Sequence, residues 1–102
     1  MVCDDADLEK AVSAAVSAAF VDAGQRCAAT SRIIIFEKVY DDFKKLFSDK
    51  IFKLKVGISD SDDYGAIINE RRMKEILGAI DGVVQRGATL LTGGNQIGNK
   101  EK

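Results

Sequence analysis

The sequence predicts α/β architecture, a piece of a larger parallel sheet, and three observations carry that prediction. Ile33-Ile34-Ile35-Phe36 is an unbroken β-branched and aromatic run, which suits a strand covered on both faces. Helical periodicity precedes it once and follows it twice. A second short apolar segment, Ala88 to Leu91, closes a strand, helix, helix, strand crossover, whose right-handed chirality would place the two strands parallel in one sheet.

The first helix is expected over Ala6 to Ala23, because Leu8, Val12, Ala15, Val16, Ala19 and Phe20 recur at three- and four-residue steps. Asp5 is its expected N-cap, Asp7 and Glu9 suit the positive end of the dipole, and Gly24 is its stop. Its Ala and Ser interior would let another backbone approach closely, so it is expected to pack deep. The strand Arg32 to Glu37 follows. Val39, Phe43, Leu46, Phe47, Ile51 and Leu54 mark a second helix, acidic early at Asp41 and Asp42, basic late at Lys50, Lys53 and Lys55, and closed by Gly57. After a polar stretch, Ser59 to Asp63, Asn69 is the expected N-cap of a third helix carrying Met73, Ile76, Leu77, Ile80 and Val84, closed by Gly87. Gly93-Gly94 reads as a turn and Asn95 to Lys102 as a polar tail. Two strands and three helices cannot cover both faces of Ile33–Phe36 and shield its edges, so the chain reads as part of a larger sheet, and on its own it is expected to self-associate, exchange elements or pack loosely.

Composition excludes whole classes of function. The chain has 102 residues, with 15 Lys+Arg against 16 Asp+Glu, and the net charge of −1 does not suit a nucleic-acid binder. With no His it cannot supply a Ser-His-Asp or Cys-His constellation, and two Cys are too few for a thiolate zinc cage, so no metal site is expected. A chain of this size leaves little spare stability for a complete two-substrate site. The first ten residues are acidic, and the longest apolar-leaning run, Ala11 to Val21, falls short of the roughly 20 residues of a bilayer span. No membrane or export segment is read, and reduced thiols in a cytoplasmic setting are expected.

Two motifs fail on inspection. Asp60-Ser61-Asp62-Asp63-Tyr64-Gly65 imitates the start of a calcium loop, but Tyr64 takes a ligand position and Arg71 stands where a bidentate Glu is required. Gly93-Gly94 lacks the spaced third Gly and following helix of a phosphate-binding turn. The informative place is Gly24-Gln25-Arg26-Cys27, a thiol just beyond a helix stop and a few residues before a strand. From position alone, such a Cys is more often a small core residue than a nucleophile.

Taken together, Asp4-Asp5-Ala6-Asp7-Leu8, Gly24-Gln25-Arg26-Cys27, Ser31-Arg32, Lys55-Val56-Gly57, Ile68-Asn69-Glu70 and Gly87-Ala88-Thr89-Leu90-Leu91-Thr92-Gly93-Gly94 resemble, in order and spacing, the aldehyde dehydrogenase superfamily over nearly the whole chain. The resemblance implies a doubly wound parallel-sheet catalytic domain, here partial over residues 1–102 as helix-strand-helix-helix-strand, with the cofactor-binding domain absent. It implies NAD- or NADP-dependent oxidation of an aldehyde to a carboxylic acid, with Cys27 as the catalytic thiol passing through a thiohemiacetal and a thioester. In such enzymes the oxyanion is held by the Cys27 backbone N–H and an Asn from another domain, and water is activated by a Glu in an upstream Glu-Leu-Gly-Gly segment. The rest of the parent chain is thus the implied partner, and the parent is a homo-oligomer, dimer or tetramer. Departures from the family are Ala66 after Gly65, where relatives carry Pro, and Arg72, where many carry a Gln near the cofactor ribose; no binding role is assigned to Arg72.

Because the thiolate is the attacking species and a helix C-terminus disfavours negative charge, Cys27 needs compensation; Arg26 is one candidate, although its side chain could equally point away, and in the full enzyme cofactor and neighbouring loops would contribute. The isolated chain is expected to be a sluggish nucleophile and inactive. The rival reading is a stand-alone structural or interaction module derived from such an enzyme, and a third is thiol redox sensing by Cys27.

Overall fold

The computed structural model describes residues 1–57, 59 and 61–97. Its ordered elements are α1 (Leu8–Phe20), a short 3-10 turn (Val21–Gly24), α2 (Glu37–Phe52) and α3 (Glu70–Gln85). α1 starts two residues later than the sequence predicts. A turn closed by Ala6 N–H donating to Cys3 C=O occupies Asp4 and Asp5, and Asp7 caps instead, its carboxylate accepting from Lys10 N–H at 3.3 Å. It also ends earlier, at Phe20, because Val21 turns extended (ψ 133°) and Asp22, Ala23 and Gly24 are all left-handed, with φ of 53°, 56° and 74°. Gly24 therefore completes a reversal rather than a helix.

α1 packs on α2. The core is Val2, Val12, Val39 and Phe43, with Leu8, Val16, Ile33, Ile35, Leu46 and Phe47 half-buried around it. The expectation that α1 is deeply packed is corrected: only Val12 is buried, and Ser13, Ala14, Ser17 and Ala18 face solvent. Lys50 of α2 ties the pair from outside, donating to the Ser13 hydroxyl and lying 4.0 Å from Glu9.

No strand forms among the described residues, so helix-strand-helix-helix-strand is seen only as its three helices. The Arg32–Glu37 run makes a single parallel bridge, Val2 to Ile35, with Val2 N–H donating to Ile34 C=O (2.7 Å) and Phe36 N–H donating to Val2 C=O (2.9 Å). Ile33 and Ile35 pack on the core, whereas Ile34 is 68% and Phe36 42% exposed, so one face is covered rather than two. Ala88–Leu91 joins no bridge among the described residues, Ala88 N–H closing the end of α3 onto Val83 C=O (3.1 Å), and Leu90 and Leu91 are exposed. A ladder needs partners distant in sequence, and no described segment lies alongside. The second helix begins at Glu37 and stops at Phe52, two residues before Leu54. The third matches its prediction: Asn69 accepts from Arg72 N–H at 2.8 Å, and Gly87 takes φ 103° just past the end. Gly93 and Gly94 also take positive φ, as a turn requires. α3 packs on neither α1 nor α2 and has no buried residue. The last five residues of the predicted tail, Gly98–Lys102, lie outside the described residues.

Candidate active site

The turn that carries Cys27 begins where α1 fails to continue. Phe20, the last residue of α1, sits in an aromatic chain: Phe43 stacks on Phe47 (centroids 5.6 Å apart), Phe47 lies 6.5 Å from Phe20, and Phe20 lies 5.9 Å from Tyr64. That chain anchors the end of α1 to α2 and to the loop around Tyr64. The left-handed residues at 22–24 then reverse the backbone, and Thr30 N–H donates back to Ala18 C=O at 3.1 Å. Residues 21–29 are thereby held as a compact bulge on the end of α1.

Within it, Arg26 C=O accepts from Ala29 N–H at 3.1 Å, closing a β-turn with Cys27 and Ala28 at its centre. Cys27 is exposed and is a free thiol, and its backbone N–H has no acceptor among the described residues. Within this chain Cys27 is not part of the core; half-buried Cys3, also free, lies closer to it.

The side chain that fixes this turn is Gln25. Its amide nitrogen donates to Asp22 C=O (3.1 Å) and to Ala66 C=O (3.3 Å), while its amide oxygen accepts from Ile68 N–H at 2.8 Å. One side chain thus joins the Cys27 turn to the segment that leads into α3. Sequence reasoning quoted Gln25 within a motif but gave it no work, because its partners lie 41 and 43 residues away.

Beside the turn lies an open cleft of about 650 Å³, lined by Ala23–Arg26 on one side of the chain and by Ala66, Ile68, Arg72 and Ile76 on the other. Cys27 itself is at its edge in sequence and does not line it. Both cleft guanidiniums are engaged: Arg26 pairs with Asp22 one turn back, and Arg72 with Glu75 at 3.0 Å. Arg26 therefore has its own carboxylate partner rather than serving as a dedicated cation for the thiol. The Ala66 backbone carbonyl, which a Pro at that place would equally offer, accepts from Gln25.

The loop opposite also contains the shifted titration. Tyr64 is half-buried, and that burial, with the Asp63 carboxylate beside it, raises its phenol above the ordinary value. Asp63 is held by Lys55 N–H at 2.7 Å. Asp60, first ligand of the imitation calcium loop, lies outside the described residues, and no group of three metal-ligating side chains occurs among the described ones.

Residues 1–102 match the aldehyde dehydrogenase family along their entire length. The chain belongs to the aldehyde dehydrogenase family. Among curated relatives, the mitochondrial aldehyde dehydrogenase of Leishmania tarentolae is 37% identical over 102 residues, which is 98% of this chain and 20% of the relative. The alpha-ketoglutaric semialdehyde dehydrogenase of Bacillus subtilis (strain 168) is 37% identical over 101 residues, 97% of this chain and 21% of the relative. Among solved structures, the NAD+ complex of aldehyde dehydrogenase from Bacillus cereus superposes with a TM-score of 0.91 at 26% identity, over 97% of this chain and 21% of that one. A 3,6-anhydro-L-galactose dehydrogenase in complex with NAP superposes at 0.92 with 33% identity, again over 97% and 21%. The chain thus spans about a fifth of the length of the aldehyde dehydrogenases it matches. Its helices and turns adopt the family's fold, and none of its described helices is long and apolar enough to cross a membrane.

Proposed function

We propose that this chain is the nucleophile-bearing part of the catalytic domain of an aldehyde dehydrogenase, acting in the oxidation of an aldehyde to a carboxylic acid, with Cys27 as the attacking thiol. The single observation that supports this best is the setting of Cys27: a free, exposed sulfur at the centre of a turn, with its own backbone N–H unspent, beside a cleft. The thiol gives up its proton to solvent, a C–S bond forms to the carbonyl carbon, and the C=O π pair becomes an oxyanion, which takes a proton back from solvent to give the thiohemiacetal. The Cys27 N–H is available to donate to that oxygen, in exchange for the water that an exposed turn amide otherwise binds.

Oxidation requires a hydride acceptor, and the relatives point to NAD or NADP. The described residues do not fit such a group. The cleft is open, its two guanidiniums are already paired with Asp22 and Glu75, and the N-terminus of α3 gives its Arg72 N–H to Asn69. No Gly-rich turn opens a described helix as a dinucleotide site requires. These residues take the reaction as far as the thiohemiacetal. The rest of an aldehyde dehydrogenase chain is the partner that would supply the acceptor site, the second oxyanion donor and the general base, in a homo-oligomeric parent. Two unpaired thiols fit a reducing compartment such as the cytoplasm.

The test is substitution of Cys27 by Ser in the longest open reading frame that contains this chain, assayed with a panel of aldehydes and both nicotinamide cofactors. Loss of turnover to background is expected, together with loss of a covalent adduct that peptide mass spectrometry maps to Cys27 in the unsubstituted protein. Full turnover in the variant overturns the assignment.

A further inference from the structure

We infer that Gln25 is a positioning residue for the Cys27 thiol: its side-chain amide holds the Cys27 turn at a fixed place and orientation against the opposite wall of the cleft. The inference rests on the reading of Cys27 as the nucleophile. Gln25 stands two residues before Cys27, and the β-turn that carries the thiol starts at the next residue, Arg26. The far end of that turn is tied by Thr30 N–H to Ala18 C=O. At the near end the backbone N–H of Gln25 donates to Asp22 C=O at 3.0 Å, and its side chain reaches the other side of the cleft.

What the side chain meets there is a peptide edge. Its amide donates to Ala66 C=O and accepts from Ile68 N–H, the two groups that flank Ile67. Val2 takes the Ile34 C=O and the Phe36 N–H around Ile35 in the same way, so the Gln25 amide occupies the place of a residue in a neighbouring parallel strand. The second amide hydrogen goes to Asp22 C=O at 3.1 Å, and both donors are thus used. Turned over, the amide would set its oxygen against two carbonyl oxygens and its nitrogen against an N–H, so the network admits one orientation.

The wall so gripped has little else to locate it. α3 packs on neither α1 nor α2, and Ile68 directly precedes its N-cap, Asn69. Tyr64 against Phe20 holds the loop by apolar contact. Among the described residues, the hydrogen bonds between residues 21–29 and Ala66–Ile68 are both made by Gln25. The Cys27 sulfur and N–H ride on a turn whose distance from that wall Gln25 sets, and a misplacement of about 1 Å at reacting atoms costs about 100-fold in rate. Gln25 acts through the turn, not on the aldehyde.

The test is steady-state kinetics of the longest open reading frame that contains this chain, unsubstituted and as Gln25→Glu, Gln25→Leu and Cys27→Ser. Gln25→Glu keeps the side-chain length and makes the grip titratable. Ionised, it still accepts from Ile68 N–H but turns its other oxygen on the Ala66 and Asp22 carbonyls; protonated, it donates to Ala66 C=O again. At pH 8 its kcat is expected to fall about tenfold or more with KM kept within about twofold. The ratio of its kcat to that of the unsubstituted protein is expected to climb toward one as the pH falls to 5. Gln25→Leu is expected to show the same loss with a ratio that does not change with pH. Iodoacetamide needs only the thiolate, so it should alkylate Cys27 at nearly the normal rate in both Gln25 variants. A KM that rises while kcat is kept would put Gln25 in the service of the opposite wall and overturns the proposal. So do an unchanged kcat in both variants, a Gln25→Glu ratio flat with pH, or alkylation slowed in step with kcat. Circular dichroism lost by Gln25→Glu at pH 8 marks a folding prop and overturns it as well. Turnover kept by Cys27→Ser removes the reading of Cys27 itself, whereas turnover lost there but kept in Gln25→Leu removes only the role of Gln25.

Discussion

Ala23 holds a left-handed conformation between Asp22 and Gly24, and it does so without the short polar side chain or missing Cβ that normally makes that region accessible. An L-residue there costs roughly 1–2 kcal/mol, against which glycine's larger loss of chain entropy is about 0.5–1 kcal/mol. Ala23→Gly is therefore expected to stabilise the chain by about 0.5–1 kcal/mol, read as a higher urea midpoint; a lower midpoint would show that the turn is held without strain. Tyr64 gives the pH dependence. Its phenol is raised by burial and by Asp63, so between its ordinary value of about 10 and its folded value the unfolded chain has lost a proton that the folded chain keeps. Stability contributed by the neutral, buried phenol is complete below about pH 10 and declines as the pH rises through the folded value. Urea midpoints at pH 8 and above pH 10 should fall further for the native sequence than for Tyr64→Phe, which has no proton to lose.

At the scale of elements the molecule divides in two. α1 and α2 share the core through Val12, Val39 and Phe43, while α3 stands apart and relies on its own cap and on exposed pairs such as Lys74 with Glu70 (3.2 Å) and Arg71 with Glu75 (3.3 Å). Exposed pairs of this kind contribute little. Asn69→Ala should cost α3 about 1 kcal/mol and lower its amide-exchange protection while leaving α1 and α2 unaffected. Phe43→Ala should cost about 3–5 kcal/mol and unfold α1 and α2 together. Equal loss everywhere from either change would mean that the three helices fold as one unit. This division also explains which elements the sequence made legible. The caps and faces of α2 and α3 depend on residues three and four apart, so Asn69 and Gly87 could be read directly. The strands depended on neighbours dozens of residues away, and Ile33–Phe36 looked two-faced because its apolar content does not say which face this chain covers.

On the scale of the whole molecule, the radius of gyration of 14.6 Å exceeds the roughly 12.8 Å of a compact chain of this length. With so much surface already exposed in the folded state, unfolding exposes less than usual, and the denaturant slope should sit near the bottom of the small-protein range, about 1 kcal/mol/M in urea. A slope typical of a well-packed domain of 102 residues would contradict it. The residue proposed to carry the chemistry follows the same logic. Cys27 stood out in the linear order because Gly24-Gln25-Arg26-Cys27 recurs with the other family segments at the right spacing, and the zero count of His removed the rival dyads. Helix periodicity and family were accordingly present in the one-dimensional pattern, and the proposal of Cys27 was drawn from it, since each rests on local spacing or on order along the chain. The grip of Gln25 on Ala66 and Ile68 and the pairing of Arg26 with Asp22 appear only on folding. Each of these depends on where a hydrogen-bonding group points in space, and periodicity along a chain carries no record of that direction.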